Sequence, residues 1–153
     1  MFRVYKQKTI FKEMTSSNKV SGKIINYNDS YLGEITFDEN ILNINKVDEI
    51  NSENYIIPGF VDLHCHGGGG FDTMDGVLAI QNMSKYHLSK GTTSLLATTW
   101  TSSFEHTFTA LKDFNSLIDN NSNLIGVHLE GPFINAKKLG AQPDLTIKPS
   151  IDF

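Results

Sequence analysis

The sequence predicts an α/β chain in two parts: a small β domain over residues 1–55, then strand–helix units of a parallel sheet over residues 56–153. Three observations carry this reading. Residues 19–50 alternate polar and apolar positions in short runs separated by Asn, Asp and Gly, the pattern of short strands joined by turns. After Pro58 the apolar spacing alternates between strand-like and helical periods with short connections, the signature of a parallel sheet covered by helices. Two of these later strands end in side chains that bind metals, His64-Cys65-His66 and His128-Leu129-Glu130.

In the first part, Lys23-Ile24-Ile25-Asn26-Tyr27, Leu32-Gly33-Glu34-Ile35-Thr36-Phe37 and Ile41-Leu42-Asn43-Ile44 mark three to four strands, and Phe2 to Ile10 offers one more. In the second, Ile56 to His64 reads as a strand with few polar interruptions. A helix follows over Thr73 to Ser89, its inner stripe formed by Val77, Ile80, Met83 or Ser84, and His87 or Leu88, with Gly91 as its stop. Thr92 to Trp100 is β-branched and apolar, the next strand. Ser102-Ser103-Phe104-Glu105 supplies a capping box for a helix whose face holds Phe108, Leu111, Phe114 or Asn115, and Ile118. Leu124 to Leu129 is the third strand. Three strands do not distinguish an open sheet from a closed barrel.

Composition narrows the function. The 153 residues are 39% hydrophobic with net charge −4, and no basic stripe of the kind that neutralises a phosphate backbone is present, which argues against nucleic acid as a partner. Nowhere do 18 apolar residues run together, and Met1 to Met14 breaks its apolar residues with Arg3, Lys6, Lys8 and Lys12, so neither a membrane span nor a signal peptide is expected. The single Cys65 cannot pair within the chain, and with the missing signal it points to a reducing, cytoplasmic location.

The chemistry sits at the strand ends. Alternate residues of a strand face the same side, so Asp62, His64 and His66 share one face while Val61, Leu63 and Cys65 share the other. Two imidazoles then reach one ion at the carboxyl end of a parallel strand, where active-site loops gather. Gly67 to Gly70 lets the backbone turn sharply and approach a ligand closely. On the third strand Gly126, His128 and Glu130 share a face, and a carboxylate at the lip of a hydrophobic strand is costly to bury unless a cation offsets it. A lone His or Glu is more often a hydrogen-bonded or salt-bridged structural residue; the coincidence of His64, His66 and Glu130 makes the metal reading the better one. His128 suits a hydrogen bond behind a ligand. His87 and His106 read as ordinary helix residues, and Trp100 as core packing.

These residues resemble the opening motif of the amidohydrolase superfamily, Pro58-Gly59-Phe60-Val61-Asp62-Leu63-His64-Cys65-His66. Phe71-Asp72-Thr73-Met74-Asp75, Thr98-Thr99 and above all His128-Leu129-Glu130-Gly131-Pro132-Phe133 are similar to the narrower N-acetylglucosamine-6-phosphate deacetylase family, over about Ile57 to Pro143. The resemblance implies a small β-sandwich flanking a (β/α)8 barrel, with His64, His66 and Glu130 as ligands of a zinc or iron ion. It implies hydrolysis of the acetamide of N-acetylglucosamine 6-phosphate, and a homodimer for the full-length protein. It places Ala141 and Gln142, in the loop Lys137-Lys138-Leu139-Gly140-Ala141-Gln142-Pro143, beside the amino sugar. A barrel of this kind takes about 250 residues. The expectation is therefore an incomplete, inactive amino-terminal fragment, with the general-base aspartate and the remaining ligands beyond Phe153. Two alternatives stay open: another amidohydrolase acting on a different amide or N-acyl sugar, and a non-catalytic metal-binding remnant.

Overall fold

A computed structural model describes residues 17–118 and 123–151, so the strand expected over Phe2 to Ile10 lies outside the described residues. The chain divides into two compact units, Met1–Gly59 and Phe60–Phe153.

The first unit is a four-stranded sheet in the order β3-β2-β1-β4, built from β1 (Asn18–Ile25), β2 (Ser30–Phe37), β3 (Ile41–Lys46) and β4 (Tyr55–Ile56). The first three strands form an antiparallel meander, and β4 adds to β1 in parallel. The alternation in the sequence is realised as one buried face: Ile24, Ile35 and Ile56 form the core, with Val20, Tyr31, Phe37 and Ile41 packed around them. The β1–β2 turn is closed by Asn26, whose backbone N–H donates to Asp29 O at 2.8 Å and whose side chain donates to the Asp29 carboxylate at 3.0 Å.

The strand expected over Ile56 to His64 is two strands. Pro58 has no N–H to give to a ladder, and the chain breaks there: β4 stays with the first sheet, and β5 (Phe60–Cys65) opens the second unit. That unit is a parallel three-stranded sheet, β5-β8-β9, with β8 at Thr92–Thr98 and β9 at Leu124–His128. Between β5 and β8 come the short strands β6 (Gly67–Gly68) and β7 (Phe71–Asp72), then helix α1 (Val77–Ser89); α2 (Phe104–Asn115) joins β8 to β9. Cys65, Leu95, Ala97 and Leu124 from the sheet and Ile80, Met83, Phe114 and Leu117 from the helical side form one core. As the β5 edge of this sheet, Val61 and Leu63 remain more than half exposed.

Both helices differ in detail from the sequence reading. Helix α1 begins at Val77 because Phe71–Asp72 folds back to pair with Gly67–Gly68, and Thr73 is held in that turn by its N–H and hydroxyl, both donating to His66 O. Gly69 and Gly70, at φ 64° and 87°, make the positive-φ pair that a tight two-residue hairpin requires. Helix α2 is capped by Ser103, which accepts from His106 N–H at 3.2 Å; the cap falls one residue later than expected and puts His106 where a capping box needs Glu105. Its buried stripe is correspondingly Thr107, Ala110, Phe114 and Leu117. Phe108 is left 48% exposed, stacked on Phe104 and beneath the Lys112 ammonium.

Asn123 ties the helix to the sheet. Fully buried, it donates through Nδ2 to Ser84 O at 3.1 Å and Thr92 O at 3.3 Å, and accepts from the Ser84 hydroxyl. Each buried polar group stripped of its partner costs about 1–3 kcal/mol. Asn123→Ala is therefore expected to lower unfolding stability by about 2–3 kcal/mol, read as a drop in the urea midpoint at constant slope. Among the described residues, no helix is long and apolar enough to cross a membrane.

Candidate metal centre

The carboxyl ends of β5, β8 and β9 bring the sequence-predicted residues together. Cys65 turns into the core, and the strand alternation turns His64 and His66 to the opposite side. His64 Nε2 and His66 Nε2 lie 3.2 Å apart, and each is 3.0 Å from Glu130 Oε2, which the β9 end delivers from the far side of β8. Glu130 is fixed at both ends: its N–H donates to Thr99 Oγ1 at 3.1 Å, and its Oε1 accepts from Gln142 Nε2 at 2.9 Å.

This spacing fits a bound cation. Ligand atoms about 2.1 Å from one ion stand about 3.0–3.4 Å apart in octahedral or tetrahedral geometry. Although Glu130 Oε2 is close to both rings, it is buried and receives a properly directed hydrogen bond from neither. Two imidazole nitrogens and a carboxylate oxygen converging on one point are a donor set that suits a divalent ion.

The surroundings hold these three side chains in place: His128 takes the supporting position read from the sequence, whereas the part played by Trp100 was missed. His128 Nδ1 lies 3.0 Å from Leu63 O, and its ring meets His64 edge-on at 4.6 Å. Trp100 is not core packing: its indole stacks on His66 at 3.8 Å. Gln142 is buried, its Oε1 accepting from Thr101 N–H at 2.7 Å while its amide reaches Glu130; Ala141 beside it is exposed. The one sequence signal for Trp100 was its position, two residues after β8 at the same sheet end as His66 and Glu130.

A second cluster forms because the β5–β8 register slips between Asp62 and Cys65. It brings Asp62, Cys65 and His87 within 4.8 Å through their polar atoms, so Asp62 does not simply share the His64 face. Cys65 Sγ donates to Gly67 O at 3.2 Å, and His87 Nε2 lies 3.1 Å from the same carbonyl. A Cβ at Gly68 would come within 2.3 Å of His87 Nε2, so this glycine makes room for the imidazole. His87, expected to be an ordinary helix-end residue, thus anchors the turn that follows His66. Burial pushes the Cys65 thiol above its usual range, which suits packing and keeps it protonated.

The chain is 31% identical to N-acetylglucosamine-6-phosphate deacetylase of Bacillus subtilis over 144 residues, 90% of this chain and 36% of that protein. It is 35% identical to the Lysinibacillus sphaericus deacetylase of the same name over 112 residues, 69% of this chain and 29% of the relative. Among solved structures, the Thermotoga maritima N-acetylglucosamine-6-phosphate deacetylase superposes with a TM-score of 0.80 at 33% identity, covering 88% of this chain and 38% of that one. No family model matches. The chain spans about a third of the length of the curated relatives it matches.

Proposed function

This chain is related to the amino-terminal part of the N-acetylglucosamine-6-phosphate deacetylases, and from that premise we propose that it carries a metal-ligand half-site for hydrolysing the acetamide of N-acetylglucosamine 6-phosphate to glucosamine 6-phosphate and acetate. The observation that supports this most is the convergence of His64 Nε2, His66 Nε2 and Glu130 Oε2 within 3.2 Å at one end of a parallel sheet. In this reading residues 1–55 belong to a flanking β-sandwich, and residues 56–153 supply the first three strand–helix units of a (β/α)8 barrel. The chain order β5-β8-β9 suits such a barrel, whose active sites lie at the carboxyl ends of the strands.

A divalent cation, zinc or iron, supplies Lewis acidity toward an amide carbonyl and toward water when held there. The chain's own residues prepare the place. Glu130 brings the negative charge that two neutral imidazoles lack, and Gln142 holds the other carboxylate oxygen so that only one faces the cluster. Ala141, exposed in the same loop, and Gln142 are the proposed sugar contacts. Hydrolysis adds the water oxygen to the acetyl carbon, breaks the C–N bond and delivers a proton to the leaving amine; an aspartate on a later barrel strand is assigned the proton. A cytoplasmic location and a homodimer complete the reading.

Acetate release from N-acetylglucosamine 6-phosphate tests it, with this chain co-expressed with the remaining two thirds of the Bacillus subtilis relative. Release that needs this chain and disappears with a chelator is the expected result. Turnover of dihydroorotate or another amide in preference to the amino sugar would replace the substrate assignment, and metal binding without turnover of any amide would leave a non-catalytic remnant.

A further inference from the structure

We propose that Trp100, itself held by Asp72, is the positioning residue that sets the ring plane of His66, so that stacking replaces the usual hydrogen bond behind a metal-ligating histidine. The inference rests on the reading of His64, His66 and Glu130 as ligands. A ligating imidazole ordinarily donates its far N–H to a carboxylate or carbonyl, which fixes its tautomer and orientation. His66 offers Nε2 to the cluster, so Nδ1 is the far nitrogen, and that atom is buried with no hydrogen-bond partner. No hydrogen bond at Nδ1 therefore fixes this ring from behind; its polar contacts are all on the Nε2 side.

What fixes it is a flat surface. The indole of Trp100 lies 3.8 Å from the His66 ring at an interplanar angle of 18°, and an imidazole lying on that face keeps one plane, with Nε2 directed to Glu130 Oε2 at 3.0 Å. The indole is itself immobilised: Nε1–H donates to Asp72 Oδ2 at 3.0 Å, and the other Asp72 oxygen accepts from Met74 N–H at 2.8 Å. The β6–β7 hairpin that follows His66 thus returns, through Asp72 and Trp100, to clamp the ring. His64 is held differently, edge-on to His128, and half its side chain is exposed.

Trp100 is the chain's only tryptophan, so its emission reports on this contact directly. Zinc is titrated into the 153-residue chain and followed by equilibrium dialysis and by indole fluorescence. Trp100→Phe keeps a flat ring and is expected to hold zinc within about threefold of the parent, whereas Trp100→Leu fills space without a flat face and is expected to lose about 10–100-fold. The parent's emission should change with zinc, saturate at one equivalent, and stay constant in His66→Ala. A folded Trp100→Leu that binds zinc like the parent overturns the proposal, as does a Trp100→Phe that loses as much as Leu. Should the Leu variant fail to fold, parent emission that ignores dialysis-proven zinc overturns it equally. Zinc bound alike by the parent and Glu130→Gln removes the ligand reading itself; zinc lost in Glu130→Gln but kept in Trp100→Leu removes only the role of Trp100.

Discussion

Glu130→Gln is expected to abolish tight metal binding while leaving the fold intact. The substitution keeps the shape of the side chain and an oxygen able to accept from Gln142, but replaces a carboxylate by a neutral amide beside two neutral imidazoles. Divalent-ion sites of this kind depend on ligand charge as well as ligand count. The loss should therefore exceed the roughly 10–100-fold typical of removing an outer hydrogen-bond partner. Gln142→Ala provides that smaller step for comparison, since it frees Glu130 without neutralising it. Metal content after dialysis against a defined zinc buffer gives the ranking, with thermal unfolding of each apoprotein as the folding control. Acetate release by the co-expressed pair should fall to background with Glu130→Gln. Equal zinc content in the parent and both variants would mean that the three converging atoms hold no ion.

The site was more legible in the sequence than its support, for a physical reason. The proposed ligands announce themselves by residue type and strand period: His64 and His66 are two apart, and Glu130 ends an apolar run, so the period of a strand and the direction of a parallel sheet bring them together. The groups that hold them act through partners distant in sequence. Trp100 meets His66 across 34 positions, and Gln142 meets Glu130 only because the chain turns back after Pro132. No local pattern encodes such pairings. The helices show the same division. Their existence followed from apolar spacing, and Phe114 and Ile118 do pack on the core, whereas Phe108 and Leu111 were read as inward in place of Thr107 and Ala110 because both sets are helically spaced. Small Thr107 and Ala110 lie inward, and the lysine-covered Phe108 lies outward, a choice made by the neighbouring core and not by hydrophobicity. The start of α1 was read too early because the hairpin that pairs Gly67–Gly68 with Phe71–Asp72 and holds Thr73 leaves no periodic signal in the sequence.

Gly131→Ala is expected to damage both stability and the proposed metal site, because Gly131 lies next to Glu130 and against Thr101. Its φ is 76°, and a Cβ there would stand 2.1 Å from Thr101 Oγ1, 2.9 Å from Thr101 Cβ and 3.0 Å from the Thr101 backbone. The backbone conformation alone costs an L side chain about 1–2 kcal/mol, and forcing a methyl into packed surroundings adds about 1–3 kcal/mol. Thr101 is buried, and its N–H donates to Oε1 of Gln142, whose amide Nε2 holds Glu130. Displacing Thr101 therefore disturbs the carboxylate twice, through the adjacent peptide and through Gln142. The expected loss is about 2–5 kcal/mol in denaturant unfolding, with zinc affinity falling in parallel. Gly140→Ala separates the two causes: Gly140 has φ 62° in the same loop region, yet nothing lies within 4 Å of its would-be Cβ. It should show the conformational cost of about 1–2 kcal/mol alone and leave zinc binding unchanged. The difference between the two variants measures the overlap with Thr101, and Thr101→Gly in the Gly131→Ala background should recover part of that difference but none of the conformational share. Equal losses for Gly131→Ala and Gly140→Ala would show that the packing of Gly131 against Thr101 does not hold Glu130 in place.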